Sequence, residues 1–191
     1  MKIVLWTAAI FLISRLAAAG GPILIDTELT GKAVVWQNGV VHYNPESGDN
    51  GTLGKLTNQQ ARDLVKQFFQ DWADVTINGV SVVSLTVNEG TGLGSVDASN
   101  FNSIFTYCPP KATCPNEEDS PFVKGTARTG TSPVVFDNDG QLTDMVFGSG
   151  SHKSVLGFAG PRVVERGEDG LLYITESEAV LNGLFVDCDD D

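Results

Sequence analysis

Two histidines, His42 and His152, and three cysteines, Cys108, Cys114 and Cys188, are the chain's whole supply of imidazole and thiol. They fall into no familiar catalytic spacing. There is no H-E-x-x-H, no G-x-S-x-G elbow and no phosphate-binding P-loop. Ser and Asp are abundant, so a Ser-His-Asp set can be drawn in many ways and nothing selects one. His42 lies in an alternating, strand-like run, where an imidazole more often packs or faces solvent than reacts. His152 lies in a Gly/Ser-rich stretch and is expected to be solvated. Cys108 and Cys114 enclose five residues, Pro-Pro-Lys-Ala-Thr. A bridge across so short a loop contributes roughly 2–2.5 kcal/mol. Two cysteines with no further Cys or His beside them do not make a zinc cage. Cys188 is left over, which in an exported chain points to a partner elsewhere.

The densest set of hard-metal donors is Asp137-Asn-Asp139-Gly-Gln141-Leu-Thr-Asp144. Carboxylates on a tight turn suit Ca²⁺, with Asp137, Asp139 and Asp144 as candidate ligands. The glycine falls at the fourth place rather than the sixth of an EF-hand loop, and no Glu follows at the twelfth. Asp-Gly is also an ordinary turn signal. Both readings stay open at this point.

Positioning such residues requires a core. The chain has 191 residues, 41% of them hydrophobic and 19% charged, which excludes a disordered polymer. With 24 acidic against 12 basic residues it carries −12. Nucleic acid and anionic lipid are therefore poor partners. Lys2 precedes an eleven-residue apolar run, Ile3 to Ile13, too short for the about 20 residues of a membrane span. Ala17-Ala-Ala19 and Gly20-Gly-Pro22 follow. This is the pattern of a secretory signal peptide over 1–19, followed by a linker over 20–32 and a domain over 33–191. Cleavage would leave 10 basic against 24 acidic residues, net −14. The expected product is a secreted, membrane-free monomer.

Asn38-Gly39, between two β-branched runs, reads as a hairpin turn. Thr57 and Gln60 form a capping box ahead of Ala61, Leu64, Val65, Phe68, Phe69 and Trp72. Those six positions make one stripe of a 3.6-residue helix, which predicts a core-anchoring helix over 57–75. Val80–Val87, Pro133–Phe136, Leu142–Phe147 and Leu171–Thr175 read as strands, and Glu176–Phe185 as helix or strand. Glu89–Gly94 and Gly167–Gly170 read as turns. One strong helix among six to eight strands makes the fold class α+β.

The order of these pieces resembles the start of a matrixin-like metzincin domain, as found in exported bacterial proteins. Val35-Trp36, Val40-Val-His-Tyr43, a helix ending Phe68-Phe-Gln-Asp-Trp72 and the strand Val83–Val87 come first. Pro133-Val-Val-Phe-Asp-Asn-Asp-Gly140, Val155-Leu-Gly-Phe-Ala-Gly160 and Ile174-Thr-Glu-Ser-Glu-Ala-Val-Leu-Asn-Gly183 follow. The similarity spans about residues 33–186. It implies a zincin-like mixed β-sheet packed on one long amphipathic helix. It also implies a zinc-dependent endopeptidase acting on peptide chains, with Leu142, Thr143, Asp144, Met145 and Val146 as the edge strand that pairs with substrate. The family's H-E-x-x-H-x-x-G-x-x-H helix would come next, and this sequence stops short of it, so zinc is implied while its ligands are absent and no catalytic residue is assigned. The alternative is a non-catalytic exported module that binds Ca²⁺ or serves adhesion.

Alkylating the unreduced protein and mapping its peptides should label Cys188 alone. Label on Cys108 or Cys114, or a bridge from Cys188 to either, would contradict the short-loop pairing.

Overall fold

A computed structural model describes residues 25–48, 51–81, 84–104 and 130–186. The expected signal peptide, all three cysteines and Val83 of the second strand lie outside the described residues.

The strands are β1 (Val35–Trp36), β2 (Val40–Pro45), β3 (Thr76–Ile77), β4 (Val80–Ser81), β5 (Thr86–Glu89), β6 (Pro133–Asp137), β7 (Gly157–Arg166) and β8 (Leu172–Asn182). The helices are α1 (Asn58–Ala73), α2 (Phe101–Ile104), α3 (Gln141–Phe147) and α4 (Gly183–Val186). The main sheet runs β1-β8-β6-β2-β5, with β7 on the other edge of β8. All its pairings are parallel except β7 with β8. β7 runs along almost the whole of β8, so β1 and β6 share its opposite edge, β1 at Tyr173–Ile174 and β6 at Ala179–Asn182. The architecture is α+β with a mainly parallel sheet.

A parallel strand needs cover on both faces, and β6 reads as an unbroken buried run, Pro-Val-Val-Phe-Asp. Val134 and Phe136 point to one core with Tyr43, Leu53, Ala61 and Val65. Val135 points to the other with Val180, Val96, Phe101 and Leu142. Each large side chain so buried contributes on the order of 1.5–3 kcal/mol.

α1 forms as its sequence dictates. Thr57 accepts from the Gln60 N–H, and the Gln60 side chain accepts from the Thr57 N–H at 2.9 Å, closing the capping box. Ala61 and Val65 are buried, and Leu64 and Phe69 pack against the first core. The Phe69 ring lies 4.9 Å from that of Tyr43. The Tyr43 hydroxyl donates to Glu89, which also meets Arg62 of α1. Burial and the Glu89 charge push the phenol up to about 12. The stripe does not stay covered to its end: Phe68 is 51% and Trp72 66% exposed.

Other expectations shift too. Asn38 and Gly39 both have positive φ, 55° and 67°, as a type I′ turn requires. Yet β1 and β2 do not pair with each other. The turn is a kink that carries the chain from β8 to the far side of β6. Val80–Val87 is not one strand. β4 closes a separate hairpin with β3, and β5 joins β2. The run after Glu176 stays strand to Asn182 and turns helical at Gly183. The described part of the expected linker also packs on the domain, since Asp26 is buried and paired with Arg166 at 3.1 Å.

Leu142–Phe147 is a helix, which corrects the assignment of Leu142, Thr143, Asp144, Met145 and Val146 to an edge strand. Both Asp137 oxygens accept from its first turn, Oδ1 from Leu142 N at 3.1 Å and Oδ2 from Thr143 N at 2.8 Å. A carboxylate at that end complements the helix dipole. Leu142 and Val146, four residues apart, then face the second core.

Candidate functional site

In open sheets with parallel strands, ligands gather beyond the carboxyl ends of the strands. This protein has a cleft of about 580 Å³ there, lined by Thr52, Val96, Asp97, Ser99, Asp137 and Asp139 among others. Its walls are the 96–99 turn, the end of β6 and the start of α3.

The side chains that build the cleft grip backbone. Glu46, just past β2, is fully buried. Its Oε1 accepts from Val96 N at 2.9 Å and its Oε2 from Phe136 N at 3.0 Å. Burial raises its pKa above the ordinary carboxylate value; the two N–H donors oppose this, and the Asp137 and Asp97 charges add to it. Gly51 leaves the space, since a Cβ there would lie 2.5 Å from Glu46 Cδ. Asn44 donates to Thr91 O and accepts from Ser132 N. Asn182, at the end of β8, donates to the carbonyls of His152 and Val155 at 2.7 and 2.8 Å and accepts from Leu184 N.

The candidate metal ligands occupy three separate stations. Asp137 is buried and committed to α3, including its 2.7 Å bond from the Thr143 hydroxyl. Asp139 is exposed and accepts from Gln141 N and from its side-chain amide. Asp144 is on α3 and accepts from Gly150 N at 3.0 Å and His152 N at 2.9 Å. Among the described residues no group of three His, Cys, Asp or Glu could hold a metal ion. Asp97 is likewise engaged, its pKa lowered chiefly by the Ser99 hydroxyl.

His152 is more constrained than its Gly/Ser surroundings suggest. Its Nδ1 lies 2.9 Å from Asp144 Oδ2, its carbonyl is held by Asn182, and it abuts Gly140. Gly140 has φ +73°, and a Cβ there would come within 2.4 Å of His152 Cβ. No local pattern marks this pairing, because Asp144 and His152 meet only once 141–147 is helical. His42 is exposed on β2, whereas His152 lies in the 151–153 turn after α3.

No family model matches the chain, and no curated protein and no solved structure is significantly similar to it.

The two N–H donors at Gly150 and His152 hold the Asp144 pKa down at about 2, with His152 assisting. A depressed carboxylate contributes stability that is complete above its unfolded value, 3.8, and is lost as pH falls through about 2. Asp144→Asn should therefore lower the urea midpoint at neutral pH and flatten the decline between pH 3.8 and about 2. An unchanged acid slope in the variant would show that the 148–152 loop does not depend on this carboxylate.

Proposed function

We propose that this chain is the N-terminal, sheet-bearing part of an exported zinc-dependent endopeptidase. The observation that carries the reading is the succession of elements. A strand (β2) is followed by a helix ending at Phe68–Ala73 and by a second strand (β5) paired parallel to the first. The last strand, β8, runs directly into a helical turn at Gly183. The resemblance calls for that order, with the zinc-binding helix after the final strand.

The substrate-pairing role cannot rest on 142–146, which are helical. It passes to β7. This strand is antiparallel to β8 and, among the described residues, has no strand on its outer edge. An extended peptide can add there through main-chain hydrogen bonds. The described residues do not themselves fit a zinc ion, since no three donors converge among them. In this reading the metal belongs to residues outside this sequence, and this chain's part is to bind and align the peptide.

Sequencing the transcript past codon 191 tests the proposal. An in-frame H-E-x-x-H-x-x-G-x-x-H within about 60 codons is expected. A stop codon without it would overturn the endopeptidase and leave a non-catalytic exported module. Residues 20–191 alone should not cleave casein with added Zn²⁺, and chelator-sensitive cleavage would refute the division of labour.

A further inference from the structure

Beyond the sheet, the segment from the end of α1 to β5 stands apart in its chemistry. Residues 75–88 carry no charged side chain, in a chain with 36 charged residues. They include the β3–β4 hairpin, whose Asn78 and Gly79 take positive φ, 53° and 77°, at its tip. Among the described residues the hairpin pairs only with itself. Residues 74–80 are all exposed. Ile77 and Val80, which flank the tip and face each other across the ladder, are 61% and 66% exposed. Phe68 and Trp72 near the end of α1 and Val75 between helix and hairpin are exposed as well.

We infer that this hairpin is a membrane-contacting wedge that enters the interface of a neutral, zwitterionic bilayer. The feature is convex: two apolar side chains at a tip, with an indole at its base. A partner protein would need a matching pocket, whereas fluid lipid closes around a projection of any shape. Ile77 and Val80 pair across the ladder, so the tip leaves fewer main-chain groups to desolvate at the interface than an unpaired loop would. Trp at the base suits the headgroup boundary, where amphipathic rings concentrate. The lack of charge over 75–88 favours a neutral surface, and the −14 of the chain without residues 1–19 disfavours an anionic one. This inference is independent of the endopeptidase reading.

The test uses residues 20–191, which contain every described residue and lack the apolar leader. The protein should sediment with phosphatidylcholine vesicles. Replacing part of the lipid with phosphatidylserine should weaken binding at low salt. The double variant Ile77→Ser/Val80→Ser should reduce partitioning by about tenfold or more, and Trp72→Gln, on the exposed helix face, should reduce it with the fold intact by circular dichroism. Absence of sedimentation with phosphatidylcholine, sedimentation unaffected by both variants, or a concentration-dependent dimer abolished by Ile77→Ser/Val80→Ser would each overturn the wedge. The last would assign the tip to a second copy of the chain.

Discussion

Glu46 sits where β2 leaves the sheet, and four hydrogen bonds converge on it. Its N–H donates to Val134 O at 2.8 Å, and its carbonyl accepts from Asn58 of α1 at 2.9 Å. Its carboxylate oxygens take the N–H groups of Val96 and Phe136. One residue thereby joins β2, β6, the first residue of α1 and the turn that walls the cleft. A carboxylate without water is costly, and it persists because each oxygen meets a backbone donor that would otherwise be orphaned. Its raised pKa means that the folded state holds the proton more readily than the unfolded chain. That contribution is complete below the ordinary carboxylate value and falls away as pH rises through the raised one.

The same device recurs along the carboxyl ends of the parallel strands. Asn44 on β2, Asp137 on β6 and Asn182 on β8 are buried; Asn44 and Asn182 bind main chain from neighbouring loops, and Asp137 binds the first turn of α3. Asp144 clamps the loop before β7 in the same manner from α3, with its own pH dependence opposite in sign. Loops are ordinarily the mobile part of a fold. Here buried amides and carboxylates tie the rim of the cleft and the approach to β7 to the sheet.

How much of this was legible follows from where each instruction is written. α1 was readable because capping box, periodicity and face all lie within sixteen residues. β6 was readable as an apolar β-branched run. The exposure of Phe68 and Trp72 was not, because the sheet beneath a helix is assembled from distant segments. Two Asn-Gly pairs make the same point. Both impose positive φ, yet 78–79 closes a hairpin and 38–39 only kinks the chain, since strand pairing is decided by residues far away. α3 was misread as a strand because its decisive capping oxygens come from Asp137, outside the segment. In one dimension the Asp137, Asp139 and Asp144 run allowed an ordinary turn or a shared cation. In three, each carboxylate has its own N–H donors.

The central claim is that the Glu46 carboxylate fastens the cleft wall and the sheet as one unit. Amide hydrogen exchange at Val96 and Phe136, compared between the natural protein and Glu46→Gln, tests it most directly. Both amides should rank among the slowest to exchange. The substitution turns one acceptor into a donor facing an N–H, and both should lose protection together, at a cost of about 1–3 kcal/mol. Protection lost at Val96 alone, or retained at both, would mean that the wall and the sheet are held independently and that the clasp is not what organises this fold.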